Sequence, residues 1–266
     1  MLSYRKLAMR VLGRPLHTEG IDSPRPASQR AAAFILTAAM LTTLAAPAFA
    51  DIWHIENGDI TISAGESGNN VTQNNNTTYG DTNTIITNQN KDTASSHTVT
   101  IEAKDKDDKV EVTLKDVNID TSSRNKAAVS VTGEGDTNIK LDGDNALKSD
   151  IYRSGIYGSG SLTISGGEND SLTAQGGSGA NGISSSGSLT ISGGTVTANG
   201  GDGDNGIYSS GSVTISGGST VTANGGNGKD DYGGDGIYSS GVTISGGSTV
   251  TANGGNGGNV LSLIHI

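Results

Sequence analysis

Short alternations of apolar and polar residues recur along residues 155–259 in four similar units. In each unit a (L/V)TIS segment and a (L/V)TA segment place Leu, Val, Ile or Ala at every second position, with Ser or Thr between them. Side chains alternate between the two faces of a β-strand, so this period of two predicts short strands with one buried and one solvated face. The isoleucine of a GI(Y/S) segment opens each unit and predicts one more strand. In chain order the first strand of a unit is therefore GI(Y/S), the second is (L/V)TIS and the third is (L/V)TA.

The repeated units predict an all-β fold in which equivalent strands stack. The units begin at Gly155, Gly182, Gly206 and Gly236. Their lengths of 27, 24 and 30 residues differ mainly between the last Gly-Gly and the next Gly-Ile, which places insertions in one surface loop. Three strands this short cannot bury an apolar face unless coils stack on one another. We therefore expect a right-handed parallel β-helix (solenoid) with three short strands per coil. One internal column should contain Ile164, Ile191, Ile215 and Ile244.

Glycine and asparagine mark the corners between these strands. Gly-Gly pairs follow the second and third strands and predict turns with positive φ. An amide residue follows the third strand of every unit: Gln175, Asn199, Asn224 and Asn253. We expect these amides to form a structural ladder or to take a left-handed turn conformation, in preference to contacting a ligand.

The chain divides into five regions by pattern. Residues 1–50 read as a signal peptide, 51–96 as an amino-terminal cap and polar loop region, and 97–153 as divergent coils. The regular repeats occupy 154–259, and 260–266 form an aberrant apolar tail. Within the cap, the low-complexity stretch 69–90 is expected to be a loop or capping excursion. The tail is interpreted as translated read-through of a truncated sequence, or as a short hydrophobic cap.

The first fifty residues predict export. An apolar run ends in Ala48-Phe49-Ala50, a small-x-small cleavage pattern, and follows a basic flank. We expect a secreted or cell-surface protein without a membrane span in the mature chain; an uncleaved anchor is the alternative. The leader carries six basic and two acidic residues, so its removal changes the net charge from −10 to −14.

Composition excludes several classes of protein. The chain has no cysteine, and aromatic residues make up 4% of it, so a thick core of large side chains cannot form. Its acidic surface argues against a nucleic acid partner. The sequence gives no indication of the oligomeric state.

One segment carries a family resemblance. VEVTLKDVNIDTSSRNKAAVSVTGEGDTNIKLDGDNALKS followed by GIYGSGSLTISGG resembles the carbohydrate-binding-domain repeat proteins of anaerobic and gut bacteria, which are similar to the right-handed β-helix of pectate lyase. The resemblance covers residues 97–259, although Gly/Ser/Thr-rich coils also occur in adhesins. It implies binding of a polysaccharide partner at a cell surface, including acidic, pectin-like polymers, with calcium involved in some members.

Three tyrosines are the candidate carbohydrate-binding residues. Tyr157, Tyr208 and Tyr238 occupy the same outward position beside the buried isoleucine of the GI(Y/S) strand, and Ser184 interrupts the series. Stacked coils would bring Tyr208 and Tyr238 within about 4.8 Å, one strand spacing. Such an array could pack against sugar rings, or it could be a structural ladder that favours strand pairing.

Acidic residues in the corner loops are the candidate metal ligands. GGDGDNGI and GGNGKD approach the glycine-rich calcium-binding nonapeptide, because calcium prefers several oxygen ligands on a tight turn. The candidate ligands are Asp202, Asp204, Asp230, Asp231 and Asp235. The alternative is that these acids are solvated turn residues without a metal.

No catalytic residues are predicted. A lyase of the related fold needs a base such as Arg or Lys. Residues 154–266 contain a single basic residue of this kind, Lys229, and Arg153 lies at their edge. Two carboxylates for hydrolysis would have to come from loops. The prediction is therefore a carbohydrate-binding protein and not an enzyme. The alternatives are a structural stalk or adhesin passenger, and a polysaccharide lyase or hydrolase.

Overall fold

The computed structural model describes residues 51–228, 232–257, 259 and 261–263. The predicted signal peptide and the end of the predicted tail lie outside these residues, as do Asp230 and Asp231. Within the described part the regular secondary structure is all β-strand, apart from one short 3-10 helix at Ile55–Asn57. None of its helical segments has the length and apolar character needed to cross a membrane.

The strands are short throughout. Before the repeats they are β1 (Ile52–His54), β2 (Ile60–Gly65), β3 (Gly68–Gln73), β4 (Asn76–Asp81), β5 (Ile85–Thr87), β6 (Val99–Ala103), β7 (Lys109–Lys115), β8 (Asn118–Asp120), β9 (Val129–Gly133), β10 (Asp136–Asp142) and β11 (Asp144–Lys148). In the repeats they are β12 (Ile156–Gly158), β13 (Leu162–Ser165), β14 (Ser171–Gln175), β15 (Ile183–Ser185), β16 (Leu189–Ser192), β17 (Thr195–Asn199), β18 (Ile207–Ser209), β19 (Ser212–Ser216), β20 (Thr220–Asn224), β21 (Ile237–Ser239), β22 (Gly241–Ile244), β23 (Thr249–Asn253) and β24 (Leu261–Leu263).

These strands form three sheets, and each coil of the repeats contributes one strand to each sheet. Sheet 1 has 8 strands in the order β1-β5-β7-β10-β13-β16-β19-β22. Sheet 2 has 6 strands in the order β8-β11-β14-β17-β20-β23. Sheet 3 has 10 strands in the order β4-β3-β2-β6-β9-β12-β15-β18-β21-β24. Every third strand along the repeats pairs in parallel with its equivalent, so the chain is the predicted parallel β-solenoid.

The predicted isoleucine column is confirmed. Ile164 pairs with Ile191, Ile191 with Ile215, and Ile215 with Ile244. The column continues towards the amino terminus through Ile139 and Val112, outside the regular repeats. The fully buried apolar side chains in the described part are all Ile, Val, Leu or Ala, so the core is as thin as the composition predicts.

Amide side chains also stack between coils. Asn224 Nδ2 donates to Asn199 Oδ1 at 2.8 Å, and Asn253 Nδ2 donates to Asn224 Oδ1 at 2.8 Å. None of the three has positive φ, so the ladder prediction is confirmed and the left-handed turn is not adopted. Gln175 leaves the ladder and donates to the carbonyl of Gly176.

The glycine pairs serve two different purposes. After the second strand, Gly193 and Gly194 have φ of 83° and 73°, as predicted. After the third strand, Gly201 does not have positive φ, and the prediction is wrong there. A Cβ on Gly201 would lie 1.8 Å from the carbonyl oxygen of Gly177 in the preceding coil. The corner after the third strand therefore requires glycine, because the backbones of adjacent coils approach closely there.

The polar stretch 69–90, for which a loop or a capping excursion was expected, contains strands. β3 and β4 form an antiparallel hairpin that extends sheet 3 beyond β2. The buried face of β3 alternates Asn69, Val71 and Gln73. Gln73 Nε2 donates to the carbonyls of His54 and Gly58, and Asn69 Nδ2 donates to the carbonyl of Glu111. Two of the three inward residues are amides that satisfy backbone carbonyls at the end of the solenoid, so hydrophobic alternation does not reveal these strands.

The isoleucine column predicts a graded response to truncation. Ile191 is fully buried, whereas Ile244 in the last described sheet 1 strand is 50% exposed. We expect Ile191→Ala to lower the free energy of unfolding by about 3 kcal/mol and Ile244→Ala by about 1 kcal/mol, because the cavity contribution requires burial. Urea unfolding of both variants measures the difference. Equal losses would contradict the proposed packing.

Candidate functional site

The three predicted tyrosines lie in one column on the outer face of sheet 3. Tyr157 pairs with Ser184, Ser184 with Tyr208, and Tyr208 with Tyr238. The rings of Tyr208 and Tyr238 are stacked, with centroids 5.4 Å apart and planes inclined by 6°. Ser184 separates this pair from Tyr157, which is 42% exposed. The column therefore presents two aromatic surfaces, one of a stacked pair and one of a single ring.

Tyr157 lines a groove of about 750 Å³ on the same face. Outward side chains of sheet 3 and of the segment before β6 form its floor: Thr98, Thr100, Ser130, Thr132, Tyr157 and Ser184. Turns that precede the sheet 3 strands form its wall: Asn125–Ala127, Tyr152–Ser154, Gly179–Asn181 and Asp204. The groove thus combines hydroxyl groups, amides and two tyrosine rings along one side of the solenoid.

Two of the three charged residues that line the groove are basic. Arg153 Nε donates to Asn125 Oδ1 at 3.2 Å, and none of the ion pairs found among the described residues includes Arg153. Lys126 is the second basic residue and is paired with Asp59, and Asp204 contributes the negative charge. Burial raises the pKa of the Asp204 carboxyl. Local positive charge in an acidic chain favours an anionic ligand at this place.

An ion cluster centred on Asp59 includes Lys126 from the wall of the groove. Arg124 donates to both Asp59 oxygens, at 2.8 and 3.1 Å, and Lys126 Nζ donates to Asp59 Oδ2 at 2.9 Å. His97 Nδ1 lies 3.1 Å from Asp59 Oδ1, and the backbone N–H of Thr98 donates to the same oxygen. Burial alone would raise the pKa of Asp59, but the hydrogen bonds from Lys126, Thr98, Arg124 and His97 outweigh it and hold the pKa well below its usual range.

This cluster was not predicted from the sequence. Asp59 and Arg124 are 65 residues apart, and neither belongs to the repeated pattern. Asp59, His97 and Arg124 also line a smaller cavity of about 340 Å³ beside the hairpin. A bidentate arginine–carboxylate pair is geometrically specific, so the cluster fixes the turn that carries Arg124 and Lys126.

The candidate metal ligands fall at different positions of the coil. The backbone N–H of Asp235 donates to Asn205 Oδ1, and Asp235 Oδ1 accepts the N–H of Asn259. Asp235 therefore occupies a column otherwise formed by asparagines. Asp202 Oδ2 accepts the hydroxyl of Ser178, while Asp204 lines the groove. Asp230 and Asp231 lie outside the described residues, and the described part contains no group of three His, Cys, Asp or Glu that could hold a metal.

The Asp59 cluster predicts a pH-dependent contribution to stability. A carboxyl with a lowered pKa stabilises the fold above its unfolded pKa of about 3.9, and this contribution is lost as pH falls through the folded pKa. We expect Asp59→Asn to lower the free energy of unfolding at neutral pH by about 2 kcal/mol, a value that allows for solvent screening of a partly exposed group. The deficit should shrink below about pH 4.

Urea unfolding of wild type and variant across this pH range measures the effect. Asp107→Asn is the matched control, because Asp107 is an exposed loop carboxylate. A deficit that stays constant with pH, or an equal deficit in the control, would contradict the assigned role of Asp59.

Comparisons of the chain with protein-family models, with curated proteins and with solved structures found no match. The functional conclusion therefore depends on the geometry of the groove and on the tyrosine column.

Proposed function

We propose that this chain is an exported carbohydrate-binding protein that recognises a polysaccharide along the outer face of sheet 3. The observation that carries the proposal is the groove, in which Tyr157 and a floor of outward Ser and Thr hydroxyls lie beside two basic side chains. A ring can pack against the C–H face of a sugar, while hydroxyl and amide groups bond its oxygens. The resemblance of residues 97–259 to carbohydrate-binding repeat proteins supports the same function.

The charges of the groove favour an acidic polymer such as pectin. Lys126 is already paired with Asp59, so this preference depends on Arg153, which forms no ion pair with a described residue. A guanidinium binds a carboxylate better than it binds a neutral hydroxyl. The Tyr208–Tyr238 stack continues the face in the direction of the later coils. A polymer that follows the solenoid axis could therefore contact the groove and then the stacked rings.

The location and the cofactor belong to this proposal as well. The leader pattern supports a secreted or cell-surface location. Calcium in the corner loops stays a prediction, as do the ligand roles of Asp202, Asp204, Asp230, Asp231 and Asp235. Carboxylate-rich polymers themselves bind calcium, so binding needs to be measured both with calcium and with a chelator.

Charge and aromatic variants of the groove test the proposal. We expect wild type to bind polygalacturonate more tightly than its carboxyl-reduced form, which has the same sugar backbone without the charges. Arg153→Gln should raise Kd for polygalacturonate by about tenfold and leave binding of the reduced polymer unchanged. Tyr157→Ser, which copies Ser184 of the next coil, should weaken binding of both polymers. Isothermal titration calorimetry gives the values.

Lys109→Gln is the matched control, because it removes one positive charge from sheet 1, outside the groove. Groove variants that bind like wild type would exclude the groove as the site. A wild-type protein that binds no polysaccharide, with or without calcium, would reject the proposal in favour of a structural stalk. Release of unsaturated uronates from the polymer would instead establish a lyase.

A further inference from the structure

The turn before four successive sheet 3 strands has a left-handed backbone residue. In four consecutive coils, the fourth residue before β9, β12, β15 and β18 has positive φ: Asn125 at 52°, Tyr152 at 60°, Gly179 at 73° and Gly203 at 78°. Glycine adopts this conformation freely and asparagine tolerates it, whereas it is a strained outlier for a bulky residue. Tyr152 is therefore the one member of this series whose side chain opposes its backbone.

The Tyr152 side chain makes no hydrogen bond with a described residue that could compensate this strain. The residue is 76% exposed, and no hydrogen bond from its hydroxyl to a described residue is present. Its backbone N–H donates to the carbonyl of Ser178 at 2.9 Å, a bond that almost any residue could make. The ring lies against the next coil, where a Cβ on Gly179 would be 2.7 Å from both Cδ1 and Cε1 of Tyr152. Stability alone would favour Asn or Gly at position 152.

The left-handed backbone at Tyr152 places an aromatic ring in the wall of the groove. Tyr152 and Arg153 line the groove from the turn, and Tyr157 lines it from the floor. Gly179 provides the space in which the Tyr152 ring lies. Strained backbone of this kind is typical of functional sites, where surrounding structure holds a residue in a conformation that it would not choose.

We infer that Tyr152 is a ligand-contacting residue and that its left-handed conformation is maintained for binding at the expense of stability. The inference rests on the proposed function, and it adds a second ring that contacts a sugar bound beside Tyr157. The ligand would then lie between the wall and the floor, and both rings would restrict its orientation. The same inference predicts that stability and affinity respond in opposite directions to substitution at this position.

The chain itself supplies the test variants. Tyr152→Asn copies the preceding coil, and Tyr152→Gly copies the following one. We expect Tyr152→Asn to raise the Tm by about 2 °C because the backbone strain is relieved. The same variant should raise Kd for polygalacturonate by about tenfold. Tyr152→Gly should weaken binding equally, with a smaller gain in Tm because glycine adds freedom to the unfolded chain. Tyr79→Ser is the control, since Tyr79 is 77% exposed on the hairpin, away from the groove.

The outcomes separate this inference from the function on which it rests. Wild-type affinity in Tyr152→Asn, when wild type binds the polymer, would overturn the role of Tyr152 and leave the proposed function intact. A lower Tm in that variant would show that the tyrosine serves folding, and would also overturn the inference. Absence of binding by wild type would reject the proposed function and this inference together. Weakened binding in the Tyr79 control would likewise contradict a role specific to position 152.

Discussion

Parallel, in-register pairing between successive coils is the interaction on which the rest of this structure depends. A single coil has no core of its own, because its apolar side chains are few and mostly small. Pairing satisfies the backbone of each strand with its equivalent and simultaneously places isoleucine on isoleucine and asparagine on asparagine. Repeat lengths between 24 and 30 residues do not disturb the register, because the additional residues lie in turns between the paired strands. In the first unit they lie between β13 and β14, and in the third unit mainly between β20 and β21, so the insertions are not confined to the one loop that the sequence predicts.

The same register determines the outer surface. A residue repeated in successive coils forms a column, so the tyrosines of β18 and β21 stack as a direct result of strand pairing. Where the coils diverge, the columns are interrupted and the surface acquires individual features. The groove lies at this boundary, with its basic residues from the divergent half and Ser184 and Asp204 from the repeats. Regular coils provide the rigid support, and irregular turns provide the candidate site.

How far the sequence predicts this molecule depends on whether a residue is repeated. Ile191 and Tyr208 were assigned to columns because equivalent residues recur, and hydrophobic alternation placed each on its face. The β3–β4 hairpin was not predicted, because Asn69 and Gln73 are buried for hydrogen bonding. The Asp59 cluster joins distant, unrepeated residues. A signal for Tyr152 did exist: the fourth residue before β9, β12, β15 and β18 is Asn, Tyr, Gly and Gly, and tyrosine is the one bulky residue in this series.

Disulfide trapping tests the stacking of coils most directly, because the chain contains no cysteine. Thr197 of β17 pairs with Thr222 of β20, so the structure predicts that Thr197→Cys with Thr222→Cys forms an intramolecular disulfide on mild oxidation. Thr195→Cys with Thr222→Cys is two residues out of register, at a Cα separation of about 8 Å, and should stay reduced. Equal cross-linking of the two pairs, or cross-linking of the second pair alone, would contradict the stacked register.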